Sequence, residues 1–407
     1  MKKYFNFQFR KSLWLVSILL FPPLSLSFAE IPKPKIDGFF DSSYNYDFNR
    51  PLSGRSNYRL FDSRTNNFLL NVIQINIDGS AREGLGYRGE LGFGTDPSAY
   101  KAAGTNNIGE TPITAAGPSN TAYNFEIQEM YVTYNWTVYP IGVKAGKFES
   151  LGGLETIEPM NNFNVSRGFI FTLARPLTYV GAIVGYRTPL FIDFWIGLVN
   201  GWDLHVDNNT DKTLLVNVDI GLSENLYGAL SFSRGAEQNA NNDNKRTSID
   251  TTWYFKPLVN AVLAGQILYG QENGVSRIDE NSNGVVDTPF GTAKWYGFNL
   301  QAKYDYSKFF SLGTRFEILN DVGGGRTLVP YINAGIIPAG VFRGGVLKNF
   351  TITPTFNISN SLLVRTEYRY DWGIEQVFED SRGNTRAGAL PTERSLSSVS
   401  LEVIYKF

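Results

Sequence analysis

The sequence predicts an all-β protein, a transmembrane antiparallel β-barrel of about 16 strands, on three observations. First, apolar and polar residues alternate with a period of two in segment after segment, each long enough to cross a bilayer as a tilted strand. Second, the gaps between these segments alternate between short and long without a break. Third, the last stretch, 395–407, puts Val399, Leu401, Val403, Tyr405 and Phe407 on one face and ends on an aromatic residue. Its other face carries Leu396, Ser398, Ser400, Glu402 and Lys406, with Ile404 out of pattern. Such a strand is expected to close the barrel against the first, its apolar face covered by lipid.

The N-terminus reads as a secretory signal peptide. Lys2, Lys3, Arg10 and Lys11 precede the apolar run Leu13–Phe21, and Ser27-Phe28-Ala29 supplies small residues for cleavage. Pro22-Pro23 ends that run too early for a membrane anchor. Residues 1–29 are therefore set apart from a barrel domain of 30–407. Four of the 37 basic residues lie in the leader, leaving 33 against 38 acidic ones. A mildly acidic mature chain does not point to nucleic acid. The chain has no cysteine, so disulfides play no part in an oxidising compartment.

The expected strands are 35–48, 66–78, 84–94, 125–137, 141–148, 178–187, 190–200, 212–222, 225–234, 246–256, 258–270, 293–306, 308–319, 346–358, 361–373 and 395–407. Short turns such as 79–83, 138–140, 188–189 and 223–224 fit the periplasmic side. Long polar loops near 49–65, 95–124, 149–177, 201–211, 235–245, 271–292, 320–345 and 374–394 fit the outside. A soluble β-sandwich has no reason to gather its long loops at one end. In 293–306, Tyr296, Phe298, Leu300, Ala302 and Tyr304 alternate with Trp295, Asn299, Gln301, Lys303 and Asp305. In 361–373, Leu362, Val364, Tyr368 and Tyr370 alternate with Arg365, Glu367, Arg369 and Asp371. The charged set belongs in the lumen, since a charge facing lipid at mid-bilayer costs roughly 2–4 kcal/mol. Tyr134 with Trp136, Trp253 with Phe255, Phe309 with Phe310, and Tyr405 with Phe407 fit an aromatic girdle at the short-turn end.

A barrel of this size leaves an aqueous channel unless something folds inward. The loop 149–177 is the candidate. It carries apolar anchors (Leu151, Leu154, Ile157, Met160, Phe163), the carboxylates Glu149, Glu155 and Glu158, and the bases Arg167 and Arg175. Opposite it are expected Lys144, Arg315, Arg365, Glu367 and Arg369 on luminal strand faces. Opposed acid and base set up a transverse field that filters solutes by charge.

Two weaker patterns concern metals. Asp279, Asn281, Asn283 and Asp287, with Gly284 at the sixth place, match the front of a calcium loop in 271–292. Phe290 stands where the bidentate glutamate belongs, so an Asn/Asp-rich turn explains the pattern equally. His205, the only histidine, alternates with Asp203 and Asp207, but no second element supports a metal there. With one histidine and no cysteine, nothing assembles a nucleophile and base, and an enzyme is not expected. Gly323-Gly324-Gly325-Arg326 opens no helix and is no phosphate cradle.

The chain resembles the family of outer-membrane proteins called putative β-barrel porin-2 (OmpL-like). The opening Gly38–Asn49, the second-strand piece Asn67–Asn71, and Lys144-Ala145-Gly146-Lys147-Phe148 with Glu155–Pro159 and Asn164–Arg167 carry the likeness, joined by Val199–Asp203 and the aromatic C-terminus. The resemblance implies an outer-membrane channel and leaves the solute open. Two readings follow. One is a porin for passive diffusion of small hydrophilic solutes, with outer-membrane lipid around it and a homotrimer as its assembly. The other is a surface structural or adhesion barrel with a plugged lumen.

Overall fold

The computed structural model describes residues 33–79, 84–100, 124–278, 288–321, 324–327, 345–374, 376–381 and 393–407. Sixteen antiparallel strands close into one barrel: β1 (Lys35–Asp47), β2 (Asn67–Asp78), β3 (Gly84–Gly94), β4 (Asn124–Asn135), β5 (Ile141–Glu149), β6 (Thr178–Arg187), β7 (Ile192–Val199), β8 (Thr213–Ser223), β9 (Leu226–Gln238), β10 (Asn241–Leu258), β11 (Ala261–Ile278), β12 (Thr288–Asp305), β13 (Phe310–Asn320), β14 (Val346–Asn357), β15 (Leu362–Gly373) and β16 (Ser395–Lys406). Each strand pairs with its chain neighbours, and β1 pairs with β16 from Phe39↔Lys406 to Asp47↔Ser398. Gly38 and Phe407 exchange both backbone hydrogen bonds, which seals the seam at the short-turn end. No helix among the described residues is long and apolar enough to cross a membrane. Closure is what lets strands do so, because it leaves no unpaired edge in hydrocarbon.

The two faces separate as the alternation demands. On β12, Tyr296, Phe298 and Leu300 are 46%, 41% and 47% exposed on the outside, while Trp295 and Asn299 are fully buried inside. On β15, Tyr368 and Tyr370 face out and Arg365, Glu367, Arg369 and Asp371 face in, each at 4% exposure or less. Aromatic rings pair near the short turns, among them Tyr134 with Trp136 (4.9 Å between centroids), Tyr304 with Tyr306 (4.6 Å) and Phe310 with Phe356 (5.3 Å). Ile404, out of pattern in the sequence, points inward and packs with Phe39 and Val72, where Met160 of the inward segment also rests.

Two long loops of the sequence reading are corrected. The stretch 235–245 is a hairpin: β9 runs to Gln238 and β10 starts at Asn241, with Ala240 at φ 51° in the turn. Strands β11 and β12 likewise continue through most of 271–292. In 237–245 every residue but Ala240 is polar. The period-two contrast that marks a strand in lipid therefore vanishes although the hydrogen-bonded ladder does not. At the other end, β10 runs through Lys256-Pro257 to Leu258, with a register break after Phe255. Proline at a strand end costs little because no ladder bond is lost there.

Candidate functional site: the segment inside the barrel

The stretch between β5 and β6 lies within the lumen. It comprises a 3-10 turn, Pro159–Asn161, and a five-residue π-helical turn, Ile170–Ala174. It first runs along β9 to β11. Gly153 takes φ +100°, a conformation in which a side chain would also strike the Arg175 guanidinium. Tyr254 on β10 donates to the carbonyl of Leu154, and Leu154 packs with Phe163 and Ala264.

The second half is fastened to β13, β14 and β15 by alternating acids and bases. Arg365 donates to the carbonyls of Asn162 and Asn164, both at 3.2 Å. Glu367 accepts from the amides of Val165 (2.6 Å) and Ser166. Arg315 donates to the Ser166 carbonyl (2.6 Å), to Asn349 and Thr351 on the wall, and to Glu155 Oε1 at 2.7 Å. Arg369 donates to the Arg167 carbonyl (2.6 Å) and Glu317 accepts from the amides of Phe169 and Ile170. An irregular backbone inside a barrel has no ladder to satisfy its peptide groups. Strand side chains at period two supply the missing partners, and charged partners make the stronger bonds.

The remaining residues singled out in the sequence fall around this zip. Glu149 Oε1 accepts the Ile157 amide, and Glu155 Oε2 accepts that of Gly168. Glu158 Oε2 accepts from Asn161. Arg167 is caged by the carbonyls of Thr156, Ile157 and Val165, with its guanidinium over Phe61 at 4.5 Å. Arg175 reaches the Glu155 carbonyl at 2.6 Å. Lys144 stands apart, over the Tyr131 ring at 4.5 Å. Arg315, Arg365 and Arg369 thus lie under the inward segment, each 2% exposed or less, and do not face open water across it.

Several partners were missed in the sequence. Glu317 stands two places after Arg315 on the same face of β13, and period-two spacing alone could have found it. Arg365 pairs with Glu402 of β16, and Arg369 with Asp371 at 2.7 Å. A second loop also enters the lumen: Arg59, between β1 and β2, pairs with Asp371 (2.7 Å) and Asp62. Phe61 of that loop packs on Phe171 and Tyr100. Nothing in the sequence marked Arg59, because a loop arginine has no period to betray its target.

The metal candidates Asp279, Asn281, Asn283 and Asp287 lie outside the described residues. Among the described residues no group of three His, Cys, Asp or Glu side chains is placed to hold a metal ion. The Asp203–His205–Asp207 trio is dispersed over separate partners. Asp203 accepts the amides of Leu177 and Thr178, His205 meets Glu126 at 3.0 Å, and Asp207 pairs with Lys212. Burial pushes the Asp203 carboxyl up, against the pull of those two amides.

A closed sixteen-stranded barrel with an apolar outer band, a charged inner face and a loop folded into its lumen defines an outer-membrane channel of the porin type. The chain belongs to the family described as "Putative beta-barrel porin-2, OmpL-like", whose model matches residues 33–407. No curated protein sequence matches it. Among solved structures it is similar to the anion-selective porin from Comamonas acidovorans, at 9% identity and TM-score 0.57 over 92% of this chain and 99% of that one. The outer membrane channel DcaP of Acinetobacter baumannii gives 9% and 0.54 over 92% and 97%. OprB of Pseudomonas putida gives 10% and 0.52 over 92% and 94%. These likenesses extend over the whole barrel and speak for its architecture.

Proposed function

We propose that the chain passes small hydrophilic solutes passively across the outer membrane, with 149–177 as the element that narrows its lumen. The observation carrying this is the zip of Arg365, Glu367, Arg315, Arg369 and Glu317 onto residues 162–170. A segment bound at nearly every peptide has a fixed shape, and a size filter needs one. Glu149, Glu155, Glu158, Arg167 and Arg175 then act by holding that shape, and Lys144 supplies positive charge on the β5 wall. The signal peptide of 1–29 brings the chain to the membrane, and a homotrimer, the form in which one Vibrio cholerae OmpT structure is titled, is the assembly we favour. Reconstitution of purified, folded protein into planar bilayers tests the reading: discrete conductance steps are expected, and a silent membrane would refute it.

The density of the filling supports a second reading, a structural barrel with its lumen plugged. Charged residues from several walls are buried at once, including Glu90, Glu317, Asp371 and Glu402 at 1% exposure or less. The same bilayer recording separates the two, because only a plug yields no current from folded protein.

A further inference from the structure

Two spaces lie between the inward segment and the wall of β8 to β12. One lies between Ser150 and Arg175 on the segment and Ser248 and Asp250 on the wall. The other extends toward the short-turn end past Asp219, Tyr254 and Gln301. Ser150–Gly152 and Arg175 border both, so the two are neighbours along one wall.

Three side chains bordering these spaces, each more than nine-tenths buried, keep a polar atom without a hydrogen-bond partner: Arg175 Nε, Asp250 Oδ1 and Gln301 Nε2. Two of them are anchored through their other atoms. Arg175 donates from Nη1 to the Glu155 carbonyl and lies over the Phe171 ring at 5.3 Å. Asp250 accepts from Gln266 at Oδ2, is also held by the Gly153 amide, and feels the Arg175 charge across the space. A fixed cation and a fixed anion therefore border one small space, each with one pole open. Arg365 and Arg369 also retain a free nitrogen each, but neither borders these spaces. Leaving a buried donor or acceptor unmet costs free energy, which a ligand matching both would recover.

We propose that this wall carries a solute subsite for small zwitterions of the free amino-acid class, resting on the channel reading above. The solute carboxylate accepts from Arg175 Nε and its ammonium donates to Asp250 Oδ1. Paired opposite charges carry no net charge to favour a simple anion or cation, yet the field between them orients a dipole. Gly152 sits where the two spaces meet: a Cβ there would come within 2.7 Å of Ser231 Oγ, so the divider is as thin as a backbone allows.

The test is interruption of ion current by L-alanine in planar bilayers, with propionamide as a neutral solute of similar size. Alanine is expected to block in a concentration-dependent way and propionamide not. Arg175→Gln and Asp250→Asn should each raise the half-blocking concentration at least about tenfold, the scale of one lost charge-assisted hydrogen bond, and Arg175→Lys should restore part of it. Heat-modifiable electrophoretic migration verifies that each variant is folded, and Asp250→Asn, nearly identical in size, carries the test should Arg175→Gln not fold. A conducting wild type that alanine does not block, or that it blocks equally in Asp250→Asn, overturns the subsite alone. A silent wild type refutes the channel reading, and equilibrium dialysis with labelled alanine then decides the subsite on its own: saturable binding lost in Asp250→Asn upholds it, and no binding ends it.

Discussion

Glu155 and Arg315 stand 160 positions apart in the chain and meet at 2.7 Å in the middle of the barrel, both almost wholly shielded from water. The pair joins the two halves of the inward segment, since Glu155 also holds the Gly168 amide and Arg315 also holds the Ser166 carbonyl. Removing one partner of a buried pair strands the other charge, at a cost of roughly 3–5 kcal/mol. Arg315→Gln is expected to lower the urea midpoint in detergent micelles and, by loosening the segment, to enlarge the single-channel conductance. Unchanged values of both would show that the clamp does not hold the loop.

Most of the barrel was legible in the chain because lipid and water sort residues at a fixed period. Leu300 and Gln301 are adjacent, and the apolar one is exposed outward at 47% while the polar one is turned inward at 4%, the inverse of a soluble sheet. Legibility ended where that contrast ends. Residues 241–245 form a strand that is half-exposed or exposed throughout, so composition alone made them a loop. The inward segment was readable as a loop rich in anchors and charges, but its partners were not. The pairings of Arg315 with Ser166 and of Glu367 with Val165 connect residues about 150–200 places apart, and no local spacing encodes such contacts.

The pH dependence of stability should carry the mark of Asp96, which follows β3. Burial pushes its carboxyl up to about 7, outweighing the pull of Arg167, and Glu402 and Asp62 push the same way. In the unfolded chain the group titrates near 3.9. Between those values the folded state holds a proton that the unfolded state has lost, so this group's contribution favours folding increasingly as pH drops from about 7 to about 4. Above pH 7 the ionised carboxylate is a constant burden. Asp96→Asn should therefore be more stable than wild type at pH 8, with the difference fading toward pH 4. Parallel stability curves for the two proteins would contradict this.

The membrane-facing assignment makes its own demand on β12. Leu300 lies midway between Tyr296 and Tyr304, all three exposed on the outer face. Leu300→Arg should cost roughly 2–4 kcal/mol of folding free energy in lipid vesicles, as a charge placed in hydrocarbon does. A change of a few tenths would mean that this face does not meet hydrocarbon.

Arg59 offers the sharpest view of how the first loop is held. Its guanidinium bonds Asp62 within its own loop, Asp371 on β15 at 2.7 Å and Ser398 on β16 at 3.1 Å. Asn57 adds a bond to the Val377 carbonyl, and Phe61 lies against the Arg167 guanidinium and Phe171. The Arg59 charge thus ties the loop to the wall, and Leu60 and Phe61 tie it to the inward segment. Arg59→Gln removes the charge, strips Asp62 of its paired base and leaves Asp371 with Arg369 alone, so the loop should detach before the barrel does. Protease added outside intact cells or vesicles should then cut within 49–66 in the variant and not in wild type, while the heat-modifiable band of the barrel persists. Phe61→Ala should expose the loop less, because the ionic tie remains. If Arg59→Gln is as resistant as wild type, the aromatic contact is the stronger tether and the order of the two variants reverses.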